Sequence, residues 1–205
     1  MKKKFKLFAT IGSLALAICM MTIGVLAATT VQFTVNSSVQ FQVGDDLLLD
    51  MAVATTSSGS TALAGSDAAS QSTYTGDGST GRTPTATTEY TAQAQTATFN
   101  AVNDTVTYTI TFTNHAEFDV TVTVEALPTA VTKDGKTLTS VISTYGAEST
   151  SVAQDGTFTI PAATNEATPG TVTHTVTIKL LRTDTSFNST DGAVTIVYSA
   201  TKAAD

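Results

Sequence analysis

Cysteine, tryptophan and charge are scarce in this chain, and each scarcity excludes something. Cys19 is the single cysteine, tryptophan is absent, and charged residues make up 13% of the chain. Cys19 lies inside a long uncharged run, and Ile18 before it is not the small residue that a lipoprotein site requires. Once residues 1–27 are removed, no disulfide, thiolate nucleophile or cysteine-ligated metal remains open to the chain. Catalytic signatures are missing as well. There is no His-Glu-x-x-His, no Gly-x-Ser-x-Gly and no phosphate-binding glycine loop. The two histidines would bind a metal only if they met in space. His174 is expected in or at the rim of the core with a hydrogen bond, and His115, in a turn, is expected to point to water. Asp45, Asp46 and Asp50 offer hard oxygen ligands, but their spacing does not fit a calcium loop, and carboxylates at a strand edge oppose aggregation. No catalytic residue, metal or cofactor is expected, and the chain is not expected to be an enzyme.

What is present begins with an address. Lys2, Lys3, Lys4 and Lys6 precede a run from Leu7 to Ala28 without charge, and Val25-Leu26-Ala27 places small residues at the minus three and minus one sites. This reads as a secretory signal helix over residues 1–27, cleaved between Ala27 and Ala28. The run is also long enough to span a bilayer, so an uncleaved anchor is the alternative. The remaining residues 28–205 carry six basic and seventeen acidic side chains, a net −11. That charge favours solubility and opposes binding to nucleic acid or an anionic membrane. The expected location is extracellular or at the cell surface. No anchor is expected from Lys202-Ala203-Ala204-Asp205, and Leu127-Pro128-Thr129 lacks the rest of a sortase signal.

Directly after the signal, Val31, Phe33, Val35, Val39, Phe41 and Val43 fall on odd positions, with Gln, Thr, Asn and Ser between them. Side chains alternate along a strand, so this parity makes one apolar and one polar face. A three-residue turn over Asn36-Ser37-Ser38 would pair Val35 with Val39 and keep the apolar residues on one face. A continuous strand satisfies the parity equally well. Leu47, Leu49, Met51 and Val53 suggest a second strand. From residue 55 to 95 the periodicity fades into Ser, Thr, Gly and Ala, which predicts a low-complexity surface insert, with a short hairpin around Tyr74 to Gly81.

Alternation is clearest after residue 95. Val106, Tyr108, Ile110 and Phe112 share one face of a strand, with threonines on the other. Phe118, Val120, Val122 and Val124 repeat the pattern, as do Val172, His174, Val176, Ile178 and Leu180, and finally Val194, Ile196 and Tyr198. Asp134-Gly135, Asp155-Gly156 and Asp191-Gly192 supply turns. Together these predict a single all-β domain over 28–205. The expected form is an antiparallel Ig-like or jelly-roll-like β-sandwich of about eight or nine strands.

Several segments resemble the secreted β-sandwich proteins of the TasA and camelysin type from Gram-positive bacteria. The Lys-rich signal runs straight into a strand. Phe41-Gln42-Val43-Gly44-Asp45-Asp46-Leu47-Leu48-Leu49 is similar to a Phe-x-x-Gly-x-Leu-x-Leu pattern of that family, with one extra residue. The strand Val106 to Asn114, Phe158-Thr159-Ile160-Pro161 and a closing Val/Ile/Tyr strand follow in the family's order. The resemblance implies assembly into extracellular fibres of a cell surface or biofilm matrix, the N-terminal strand of one subunit completing the sandwich of the next. Strand addition of that kind supplies main-chain hydrogen bonds and buries alternate side chains. Burying the six apolar residues fully would release roughly 9–18 kcal/mol, against association costs of about 4–15 kcal/mol. The alternative is a monomeric surface module that contacts a glycan or protein ligand through residues 55–95.

Overall fold

The computed structural model describes residues 33–43, 47–67, 71–72, 74–75, 83–84, 88–165, 167–182 and 193–204. These residues form an all-β protein, and no helix occurs among them. In chain order the strands are β1 (Phe33–Val43), β2 (Leu49–Ser58), β3 (Ala62–Ala64), β4 (Gln71–Ser72), β5 (Tyr74–Thr75), β6 (Thr83–Pro84), β7 (Thr88–Gln93) and β8 (Thr96–Phe99). They continue as β9 (Thr105–Asn114), β10 (Val120–Ala126), β11 (Thr132–Lys133), β12 (Lys136–Thr137), β13 (Thr139–Tyr145) and β14 (Thr150–Ser151). The last three are β15 (Thr157–Ile160), β16 (Gly170–Leu180) and β17 (Ala193–Lys202).

Two sheets account for most of them. Sheet I runs β15-β10-β17-β1-β8-β3, with β7 also paired to β1. Sheet II runs β14-β13-β16-β9-β2-β4. Short pairs β11–β12 and β5–β6 lie outside these sheets. The described pairings are antiparallel except one: β1 runs parallel to β17. An all-antiparallel expectation is therefore corrected at this pair. Parity alone cannot distinguish the two directions, because side chains alternate in the same way in both.

The alternation dictates the packing. In β9 the even residues Val106, Tyr108, Ile110 and Phe112 are fully buried, while the threonines between them remain half-buried. Val120, Val122 and Val124 of β10, and Ile196 and Tyr198 of β17, are likewise fully buried. Aromatic rings join the two sheets. Phe112 of sheet II meets Tyr198 of sheet I edge-on at 5.0 Å, and lies 5.7 Å from Phe158 of β15. Such ring pairs add about 0.5–1.5 kcal/mol each beyond the area they bury.

Connections are fixed by specific backbone chemistry. Asp134 and Gly135 both have positive φ and join β11 to β12 in the two-residue turn expected from Asp-Gly. The β9–β10 corner is held by Asn114, which is fully buried. Its amide donates to the carbonyls of Phe118 and Pro161 at 2.8 and 3.0 Å, and its Oδ1 accepts from Ala116 N at 2.9 Å.

The described residues between 55 and 95 include several strands. β2 continues to Ser58, and β3 and β7 join sheet I. Within this segment, β5 pairs with β6, Tyr74 opposite Pro84, a pairing that starts where the hairpin was expected but reaches past Gly81. Ser, Thr and Ala strands present little contrast between faces, which is why their periodicity is faint.

Candidate functional site

β1 is continuous through Asn36-Ser37-Ser38, which decides against the three-residue hairpin turn. It occupies the interior of sheet I. On one side, Asn36 to Val43 pair with Ala193 to Ala200 of β17. On the other side, its first half pairs with β8, Phe33 opposite Phe99 and Val35 opposite Ala97. Its second half pairs there with β7, from Ser38 opposite Gln93 to Val43 opposite Thr88. One strand thus spans two successive partners on one edge and the last strand on the other.

Of the six residues singled out in the sequence, Val39 is described completely. It is fully buried in the core and stands opposite Ile196. Phe33, Val35, Phe41 and Val43 take their places in the strand, and the residues opposite them on β8 and β17 (Phe99, Ala97, Tyr198 and Ala200) are all buried. Val31, the cleavage pair Ala27 and Ala28, and Cys19 lie outside the described residues. The partners of β1 could not be read from local sequence. Ile196 and Tyr198 were legible as inward-facing residues, but their pairing with β1 joins segments about 160 residues apart. The Thr88–Gln93 strand gave no signal beyond the β-favouring Tyr90.

A buried polar bridge runs from β13 through β16 to β17, the strand paired with β1. His174 of β16 is fully buried and uses both ring nitrogens. Nε2 is 2.8 Å from Ser143 Oγ of β13, and Nδ1 hydrogen-bonds the Tyr198 hydroxyl of β17. The ring stacks on Phe158 at 5.8 Å and meets Tyr198 edge-on at 5.4 Å. Burial lowers the His174 pKa from 6.5 to about 4, so the ring is neutral at physiological pH. Burial also pushes the Tyr198 phenol well above its ordinary value. A neutral imidazole carries one N–H, so it donates to one of these hydroxyls and accepts from the other. Ser143 is turned inward onto this ring, and the arrangement fits a tie between sheets better than a nucleophile with its base.

His115 departs from expectation. It does not simply point to water: its Nε2 sits 3.0 Å from Asp50 Oδ2 of β2, and its backbone N–H donates to Leu48 O. The two histidines have separate partners, and among the described residues no group of three or more His, Cys, Asp or Glu side chains could hold a metal ion. Asp45 and Asp46 lie outside the described residues.

Two carboxylates anchor the segment between β2 and β9. Asp67 accepts from Thr55 N at 2.8 Å and from Gln95 Nε2 at 3.1 Å, with further bonds from the Thr55 hydroxyl and Gln95 N. It therefore clips the two ends of the 55–95 segment together. Asp104 is buried and accepts from Ser60 N and Oγ, Asn100 N and Ala101 N at 2.9–3.0 Å. Burial alone would raise both carboxyl pKa values, but these hydrogen bonds outweigh it and hold them below the ordinary value of 3.8.

Compared with known proteins, the chain matches no family model and no curated protein sequence.

Proposed function

We propose that this chain is a secreted, non-enzymatic structural subunit of a cell-surface fibre or biofilm matrix, polymerising by donation of β1. On this reading the two sheets form an Ig-like β-sandwich, delivered outside the cell by the cleaved N-terminal signal. The observation that carries it is the position of β1. The strand lies at the start of the described chain, yet it fills the interior of sheet I between β17 and the β7–β8 edge. Withdrawing it would bare two strand edges and the core site of Val39, and the same strand from another copy would satisfy both. Every main-chain bond lost in one copy is regained in the next. The net gain then comes from linking subunits, and exchange is slow because the whole strand must leave before another enters.

One observation favours a second reading. β1 here completes its own sheet, as it would in a monomeric surface module whose ligand is met by the 55–95 segment that Asp67 clips in place. Electron microscopy and size-exclusion chromatography of the processed protein over a wide concentration range separate the two. Filaments that are lost on Phe33→Asp or on deletion of residues 28–38 support strand donation. A well-folded monomer that persists at every concentration overturns it and leaves the module reading.

A further inference from the structure

The outward face of sheet II is poor in charge for so acidic a chain. Alternate positions of β9 from Thr105 to Thr113 are all threonine, and so are those of β16 from Thr171 to Thr177. The two runs are in register, with Thr109 opposite Thr175. Leu180 N donates to Asp104 O, which makes the even residues of β9 the backbone-bonded pairs and puts the threonines at the closer, non-bonded positions. Thr107 and Thr177 accordingly join their hydroxyls at 3.0 Å.

The flanks of this grid are uncharged too. Ala52 and Ala54 of β2 are exposed on one side, and Ile142 of β13, on the other, is 60% exposed opposite Thr177. Val102 and Leu181, the other exposed large apolar side chains among the described residues, lie beside the Thr105 end. Along these four strands, alternation gives the face two charges, Asp50 at one end and Lys179 at the other.

A chain with seventeen acidic and ten basic residues repels its own copies. Copies approach at least cost through a face with few charges to strip of water, and here the single carboxylate along the four strands, Asp50, stands at one end. We propose that the outward face of sheet II is the surface on which a second copy of this chain packs face to face, joining neighbouring filaments side by side. The proposal rests on the fibre reading above. A two-fold axis across the strands through the Thr109–Thr175 rank lays β9 against β9 with the strands reversed. That places Asp50 of one copy over Ser58 of the other, and Lys179 over Thr171, so like charges stay apart. Four strands about 4.8 Å apart, with β9 ten residues long, cover roughly 500 Å² per copy. A stable pairwise complex buries about 800 Å² per partner. Isolated copies therefore separate readily, while filaments that repeat the contact adhere by multivalency.

The test uses protein secreted from cells expressing the full chain, examined by negative-stain microscopy and sedimentation velocity. Wild-type filaments are expected to bundle, more so at high salt, which screens the acidic repulsion. The double variant Thr109→Lys/Thr175→Lys brings lysines together on the two-fold axis and is expected to give single filaments, with a melting temperature slightly lowered because the two lysines also face each other across β9 and β16. Because lysine reduces the net negative charge, lost bundling cannot come from added overall repulsion. Ile142→Lys, at the rim of the face, is the second variant and is expected to do the same. Bundling at wild-type level in both variants overturns the proposal. If no filaments form, the fibre reading fails, and sedimentation alone decides the face. Weak wild-type dimers that both variants abolish keep the contact, and a wild type that is monomeric at every concentration overturns it.

Discussion

His174 of β16 and Tyr198 of β17 hydrogen-bond through Nδ1 and the phenol hydroxyl, tying sheet II to sheet I in the centre of the core. Tyr198 is also the residue opposite Phe41, so the strand paired with β1 is the strand this bond holds.

The burial of His174 makes the fold acid-sensitive in a defined window. The folded pKa of His174 is depressed by burial to about 4, from 6.5 in the unfolded chain. Between these values the unfolded state takes up a proton that the folded state refuses, so stability falls as pH drops from 6.5 to about 4. The full difference corresponds to roughly 3 kcal/mol. Urea midpoints at neutral pH and near the lower end of the window measure it. His174→Gln keeps hydrogen-bonding capacity without titrating, and its stability is expected to be lower at neutral pH but flatter through the window. An equal slope in the variant would assign the acid loss to other groups.

Asn114 and Gly170 converge on one carbonyl. Asn114 donates to Pro161 O, and a Cβ at Gly170 would meet the same oxygen at 1.8 Å. Gly170→Ala must push β16 away from the β15 exit, at an expected cost of about 2 kcal/mol or more. Asn114→Ala leaves two carbonyls and an N–H without this partner in a buried corner, an expected loss of about 3 kcal/mol. Thermal melts of the single and double variants check both. The double variant is expected to lose less than the sum, because both changes open the same contact.

How much of this was legible in sequence follows from which interactions are local. The inward faces of β9, β10, β16 and β17 were legible because Val, Ile, Phe and Tyr alternate with Thr, and burial follows that alternation residue by residue. The buried setting of His174 was legible for the same reason. Its partners Ser143 and Tyr198 were not, since they lie 31 and 24 residues away on strands whose order in the sheets parity does not determine. Asn114 was named only as the last residue of a strand, although its side chain is the fully buried organiser of that corner. The bond between His115 and Asp50 spans 65 residues and left no trace in either neighbourhood. For the candidate site, the apolar parity of 31–43 was visible, whereas its parallel match to the last strand was not.

Asp104 and Gly59 form a second obligatory pair. Gly59 has φ +75, and a Cβ there would lie 2.1 Å from Asp104 Oδ1. Gly59→Ala therefore meets both backbone strain and a clash. Asp104→Asn replaces an all-acceptor carboxylate with a group that turns N–H donors toward N–H donors, at an expected cost of about 2 kcal/mol. The lowered Asp104 pKa stabilises the fold above 3.8 and is lost as pH falls below it, a window beneath that of His174. Denaturation profiles should show these as two separate acid steps, with Asp104→Asn diminishing the lower one alone.

The strand-exchange reading can be tested by locking β1 in place. Cys19, inside the expected signal, is the single cysteine of the chain, so an engineered pair would have no competitor after cleavage. Gln40 and Val197 are partners in the parallel β1–β17 register. Neighbouring strands lie about 4.8 Å apart, within the Cα separation of about 4.4–6.8 Å that a disulfide tolerates. Gln40→Cys/Val197→Cys, oxidised as dilute monomer, ties the donor strand into its own sheet while leaving the core residue Val39 untouched. Oxidised protein is expected to remain monomeric at concentrations where the wild type polymerises, and reduction is expected to release filament growth. Filaments growing from the oxidised monomer would exclude β1 as the exchanged strand, since the covalent bond forbids its departure. A reduced variant that stays monomeric beside polymerising wild type would mean that the substitutions themselves block assembly. The same lock at Ser38→Cys/Thr195→Cys, another partner pair of that register, would then decide the question.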